Sequence, residues 1–125
     1  MGQIKLLIVD DEEKLANTLK SYFEVSGYQA WVTNRGEEAL VLMEQHRPDV
    51  LLVDWKLEGS QVQGLDVLQK AKQLLPGVIV LMLSGFGETE RAEALQRGAD
   101  AFLEKPLLLP DVRKVVQDAL AKRAG

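Results

Sequence analysis

The sequence contains no cysteine and a single histidine. The first absence excludes disulfides, thiolate metal sites and cysteine nucleophiles, and it suits a reducing compartment. Together the two argue against a transition-metal centre and leave open a hard cation held by carboxylates. No apolar run approaches the ~20 residues of a membrane span. The start, Met1-Gly2-Gln3-Ile4-Lys5, lacks the long apolar stretch of a secretion signal, so a cytoplasmic location is expected. There is no basic stripe: the net charge is −4 and the pI about 5.0, which argues against direct nucleic-acid binding. Linkers, low-complexity segments, charge blocks and sequence repeats are also missing. What remains is 125 residues, 46% apolar and 27% charged, the profile of one globular domain over 1–125 that needs no staples.

The apolar residues fall into two textures. Dense Val/Ile/Leu runs at Ile4–Val9, Val50–Val53 and Val78–Leu83 read as parallel strands covered on both faces. Weaker runs at Tyr28–Val32 and Ala101–Leu103 read as strands nearer an edge. Between them lie helical spacings: Leu15, Leu19, Phe23; Leu65, Leu68, Ala71, Leu75; Ala92, Leu95; and Val112, Val115, Ala119. Gly27 and Gly98 suit helix ends. Asn34 with Glu37 resembles a capping arrangement for a helix over about Glu37–His46, which Pro48 stops, and Pro110 suits the first turn of the last helix. Strand and helix alternate five times. The expectation is an α/β fold: an open five-stranded parallel sheet in the flavodoxin-like order 2-1-3-4-5, with helices on both faces.

In such a sheet, sites lie past the carboxyl ends of the strands. Those positions hold Asp10 and Asp11, Asp54, Ser84, and Lys105-Pro106. Adjoining first and third strands would bring the three aspartates together. Two carboxylates about 6 Å apart repel by about 3 kcal/mol at an effective dielectric near 20. A hard cation such as Mg²⁺ offsets that repulsion, and Lys105 contributes. A carboxylate nucleophile, a metal, a hydroxyl and an ammonium together suit phosphoryl transfer. Each residue has a plainer reading by itself. The Asp-Asp pair could be a helix cap with a first-turn acid, Asp54 a loop-start carboxylate, Ser84 a strand-end hydroxyl and Lys105 a solvated cation. Their shared placement favours the site.

The motifs Leu6–Glu12 (LLIVDDE), Asp49–Asp54 (DVLLVD), Val80–Gly87 (VLMLSGFG) and Arg97–Pro106 (RGADAFLEKP) occur in order along nearly the whole chain. In this the chain resembles the receiver domain of two-component response regulators. The resemblance implies that Asp54 takes a phosphoryl group from a sensor histidine kinase or a histidine phosphotransfer protein. It implies that Asp10, Asp11, Asp54 and the backbone carbonyl of Lys56 hold Mg²⁺. Lys105 would pair with the phosphoryl oxygens, and its own peptide bond to Pro106 would be cis. Ser84 and Phe102 would be the switch pair, and an output domain or effector protein would read the change. A homodimer through the fourth helix, fifth strand and fifth helix is a further implication. So is slow self-dephosphorylation, with no activity on separate substrates.

The chain departs from the family's pattern after Asp54. Leu57-Glu58 stands where a Met-Pro pair is usual, and the glycine, Gly64, comes ten residues beyond Asp54 rather than eight. The polar loop Lys56–Gln63 reads as a tolerated surface insertion. Trp55 reads as a shield and fluorescence reporter, Trp31 as packing, His46 as a surface residue, and Leu107-Leu108-Leu109 as core and helix-entry packing. Phe86 reads as a residue affecting water access. Two other function classes compete. A phosphorylation-independent receiver-like interaction module would have lost some of the polar residues, yet all are present. A metal-dependent hydrolase would want a second carboxylate two residues after the nucleophile, where Lys56 stands.

Overall fold

The computed structural model describes residues 2–85 and 87–124. Five strands alternate with five helices: β1 (Lys5–Val9), α1 (Glu13–Val25), β2 (Gln29–Thr33), α2 (Gly36–His46), β3 (Val50–Asp54), α3 (Gly64–Leu74), β4 (Ile79–Ser84), α4 (Glu88–Gln96), β5 (Ala101–Glu104) and α5 (Leu109–Ala124). The strands form one parallel sheet in the order β2-β1-β3-β4-β5, as the alternation predicts.

The period-two alternation of the strands divides the core. Leu6 and Ile8 of β1 face α1 and α5, meeting Ala16, Leu19, Phe23, Val112 and Val116. Leu7 and Val9 face the other way, toward Ala39 and Met43 of α2, Val67, Leu68 and Ala71 of α3 and Ala94 of α4. Every residue of β3 and β4 is buried, whereas the edge strands β2 and β5 are only partly so, which is why their apolar runs are the weaker ones. Fully burying one such aliphatic side chain stabilises the fold by about 1.5–3 kcal/mol.

Four expectations about the helices need correction. The Asn34–Glu37 cap does not form. The N-cap of α2 is Arg35, without a side-chain hydrogen bond, because the Glu37 carboxylate turns to the loop after β3. The buried face of α4 is Ala94, not Ala92 and Leu95. Leu95 is 43% exposed, and this short helix has little apolar face. In the leucine run, Leu107 and Leu109 pack on the α1/α5 side while Leu108 is 68% exposed. His46 is half-buried rather than simply on the surface, its ring stacked 4.1 Å from that of Trp31. Phe86 lies outside the described residues. Among the described residues no helix is long and apolar enough to cross a membrane.

Candidate functional site

The strand register aligns the carboxyl ends. Val9 pairs with Val53, so Asp10, one residue past β1, comes beside Asp54, the last residue of β3. Asp54 pairs in turn with Leu83, next to Ser84. Asp10 is fully buried, and Asp54 and Ser84 nearly so. One carboxylate oxygen from each of Asp10, Asp11 and Asp54 lies within 4.8 Å of the others. Lys105 reaches this cluster from beyond β5. Its backbone N–H donates to the Ser84 carbonyl at 2.8 Å. Its Nζ lies 2.8 Å from Glu12, 3.0 Å from Asp10 and 3.2 Å from Asp54. The Lys105–Pro106 peptide bond is cis. An open cleft of about 310 Å³ above the cluster is lined by Asp11, Glu12, Asp54, Lys56, Gly85 and Lys105.

The electrostatics are unbalanced. Four acids, Asp10, Asp11, Glu12 and Asp54, meet one ammonium. Burial, then the neighbouring Asp10 charge, pushes the Asp54 carboxyl up to about 7, against the pull of Lys105. Asp10 is also raised by burial, with the Glu12 N–H and Lys105 opposing. Burial by itself would lower the Lys105 ammonium, but Glu12, Asp10 and Asp54 outweigh it and hold it above the ordinary lysine range. Asp10 Oδ1 accepts the Glu12 N–H at 2.8 Å. Asp10 Oδ2 is buried and accepts no hydrogen bond. Its approach to Lys105 at 3.0 Å is an ion pair outside hydrogen-bonding geometry. An unbonded buried oxygen, an oxygen-only donor set and excess negative charge all fit a hard divalent cation such as Mg²⁺.

The other predicted residues are less central. Phe102 is buried in the apolar cluster on the α2/α3/α4 face, with the Arg91 guanidinium 6.0 Å from its ring centre. Trp55, beside Asp54, is half-buried and packs on the same cluster, and its backbone N–H donates to Leu83 O at 2.8 Å.

The loop Lys56–Gln63 is not the loose insertion its composition suggests. Leu57 is buried, and the Gln63 side chain brackets it by accepting the Leu57 N–H at 2.8 Å and donating to the Leu57 carbonyl at 2.9 Å. Gln63 and Asp66 form a capping box that starts α3. The Glu58 N–H donates to Asp11 Oδ2 at 2.9 Å. The Glu37 carboxylate accepts from Ser60 Oγ at 2.7 Å and from the Gln61 and Val62 N–H groups at 2.8 and 3.2 Å. Gly64 closes the loop where no side chain fits, since a Cβ there would lie 2.2 Å from the Asp54 carbonyl oxygen.

The sequence reading missed Glu12 as the tightest partner of Lys105, together with Glu37 and Gln63. Only the last carried a legible signal, the three-residue spacing to Asp66.

The family model described as "Response regulator receiver domain" matches residues 6–117. Sporulation initiation phosphotransferase F of Bacillus subtilis is 30% identical over 122 residues, covering 97% of each chain. The nitrogen assimilation regulatory protein NtrX of Azorhizobium caulinodans is 38% identical over 102 residues. That is 81% of this chain but 22% of NtrX, so the chain spans about a fifth of that relative's length. Among solved structures, the receiver domain of NtrX from Brucella abortus superposes with a TM-score of 0.86 at 30% identity, covering 93% of this chain and 98% of that one.

Proposed function

The chain belongs to the response regulator receiver domain family, and from that premise we propose that Asp54 is the acceptor of a phosphoryl group delivered by a histidine kinase or a histidine phosphotransfer protein. The observation that supports this most is the convergence of one carboxylate oxygen each from Asp54, Asp10 and Asp11, with Asp10 Oδ2 buried and accepting no hydrogen bond and the Lys105 ammonium facing them. An Asp54 Oδ attacks the phosphorus of a phosphohistidine. The P–O bond forms as the P–N bond breaks, and the imidazole leaves, taking its proton from solvent. Asp10, Asp11, Asp54 and the backbone carbonyl of Lys56 would hold Mg²⁺, which supplies charge neutralisation for the incoming phosphoryl oxygens. Lys105 supplies the other counter-charge, opposing the rise that burial and the Asp10 charge impose on the Asp54 carboxyl.

The acyl phosphate adds close to two negative charges beside a strand-end hydroxyl and an ammonium. Ser84 then moves toward the phosphoryl oxygens, and Phe102, two strand residues from Glu104, shifts with it. The altered α4, β5 and α5 face is read by an output domain, an effector or a second copy of the chain. Water later cleaves the acyl phosphate. The chemistry is self-directed, and a cytoplasmic setting suits it. The reading as a phosphorylation-independent interaction module gains no support, because such a module would have lost some of the acids or the lysine, and Asp10, Asp11, Asp54 and Lys105 are all present in the sequence.

The test uses Trp55, adjacent to the acceptor. Mg²⁺ followed by a small acyl phosphate donor, or by beryllium fluoride, changes its fluorescence in the wild type and not in Asp54→Asn. An identical response in the variant overturns the assignment of Asp54.

A further inference from the structure

The additional length of the β3–α3 loop is spent on a contact with α2. Ser60, Gln61 and Val62 all donate to one carboxylate, Glu37, and the Gly36 N–H donates to Ser60 Oγ at 3.0 Å. The two backbones touch. A Cβ on Gly36 would lie 2.1 Å from the Val62 carbonyl oxygen, so only glycine permits the approach. The Val62 carbonyl oxygen lies 2.8 Å from the same Ser60 Oγ, the alternative acceptor for its one hydroxyl proton, so the turn is also tight within the loop. Hydrogen bonding, first from Ser60, holds the Glu37 carboxyl down at about 2, so this clamp is charged and closed at neutral pH.

At its other end the same loop meets the acid cluster. The Glu58 N–H is the hydrogen-bond donor to Asp11 Oδ2, and Lys56 lines the cleft beside Asp54. Leu57, between them, is buried and bracketed by Gln63, which also donates to Ser60 O at 2.6 Å. The loop is thus a short strut from the first turn of α2 to Asp11.

We infer that Glu37 is a positioning residue for the cation site: by fixing residues 60–62 it holds the Glu58 N–H on Asp11 and sets the backbone at Lys56. This rests on the reading of Asp10, Asp11 and Asp54 as the Mg²⁺ site. A group that orients a metal ligand without touching the metal is worth about ten- to a hundredfold in affinity. Glu37 acts through an intervening loop, so the low end of that range applies.

The experiment titrates magnesium chloride into the full chain and follows Trp55 fluorescence, with a thermal melt of each metal-free variant as the folding control. Glu37→Ala raises the Mg²⁺ dissociation constant about tenfold. Glu37→Gln, whose amide oxygen still accepts the Gln61 and Val62 N–H groups, recovers most of the loss. Ser60→Ala removes the hydroxyl that donates to Glu37 and accepts the Gly36 N–H, and costs roughly threefold, which keeps the inference testable if Glu37→Ala does not fold. Amide exchange at Glu58 quickens in the variants in the same order. A folded Glu37→Ala or Ser60→Ala with wild-type Mg²⁺ affinity overturns the inference while leaving the cation site intact. A wild type whose response to Mg²⁺ is absent, or unchanged by Asp54→Asn, overturns the cation reading itself.

Discussion

Asp54 and Glu37 are both carboxylates at the carboxyl edge of the sheet, and their surroundings push them in opposite directions. Asp54 is held up at about 7 by burial and by the charge of Asp10. Glu37, with its side chain 38% exposed, is held down at about 2 by the Ser60 hydroxyl and by loop N–H groups. The difference lies in what faces each acid. Glu37 accepts hydrogen bonds from Ser60, Gln61 and Val62. Asp54 meets other acids and one shared ammonium, so its ionised form carries an unmet cost. The first arrangement belongs to a fastener, the second to a site prepared for incoming positive charge or a charge-neutralised ligand.

The largest break in this comparison comes from removing the shared ammonium. Lys105→Met leaves Asp10, fully buried, and Asp54 without a cation. Stability at pH 8 without Mg²⁺ should fall by about 3 kcal/mol, the order expected when one partner of a buried pair is lost. Labelling by a small acyl phosphate donor should slow by about a hundredfold, as when one preorganised donor to a transition state is removed. Chemical denaturation and a quench-flow labelling assay read the two effects. A variant that labels at the wild-type rate removes Lys105 from the transfer chemistry.

Neutralising Asp54 itself should act in the opposite sense. Its pKa is higher folded than unfolded, so between about pH 4 and 7 the native state keeps a proton that the unfolded chain has released. Stability from this group therefore declines as pH rises through that window, and the full cost is present above 7. Asp54→Asn removes that cost, in which the pull of Lys105 is already included, and leaves a buried amide that must find its own hydrogen bonds. The balance is a gain of about 2 kcal/mol at pH 8 in Mg²⁺-free buffer, less than the roughly 4 kcal/mol that three pKa units would represent. Near pH 4 the gain vanishes. Mg²⁺ raises the melting temperature of the wild type and does less for the variant. Equal melting curves at pH 8 would mean that Lys105 already balances the cluster.

The same contrast explains what could be read from residues alone. The dense runs of β1, β3 and β4 mark strands buried on both faces, and the acids that close those runs sit at the site because parallel register puts them there. Such features are local in sequence, or follow from topology. Glu12 on Lys105 joins residues 93 apart, and Glu37 on Ser60 joins residues 23 apart through a loop whose path no local pattern sets. Asn34 and Glu37 have the spacing of a cap, yet tertiary hydrogen bonds recruit Glu37 elsewhere. On α4, the nine residues of Glu88–Gln96 are too few and too polar for Ala92 and Leu95 to reveal that Ala94 is the buried face.

A smaller effect separates the two acids at low pH. Glu37 has a folded pKa below its ordinary value, so its contribution is fully present above about 4.5 and is lost as pH falls toward 2. The acid limb of the wild-type stability profile should therefore be steeper than that of Glu37→Ala, with the two converging near pH 2. Urea unfolding at a series of pH values measures this. Parallel limbs would show that the loop donors do not favour the charged form of Glu37.

The finest distinction concerns the origin of that lowered value. Arg35 Nε lies 3.6 Å from Glu37 Oε1, an approach that invites a salt-bridge explanation. Both side chains are more than a third exposed, and such pairs contribute about 0.2–1 kcal/mol, screened further by salt. Ser60 Oγ, by contrast, sits 2.7 Å from the same oxygen, is itself half-buried, and is held in a tight turn. Arg35→Ala should therefore change stability by under about 0.5 kcal/mol and leave the Glu37 carboxyl where it is. Ser60→Ala should move that carboxyl upward toward the ordinary glutamate range. NMR titration of the Glu37 side-chain carbon in the two variants decides between the causes. If Arg35→Ala gives the larger displacement, or if raising the salt concentration reproduces it, the clamp is an exposed ion pair. It would then lack the directionality needed to hold residues 60–62 in place.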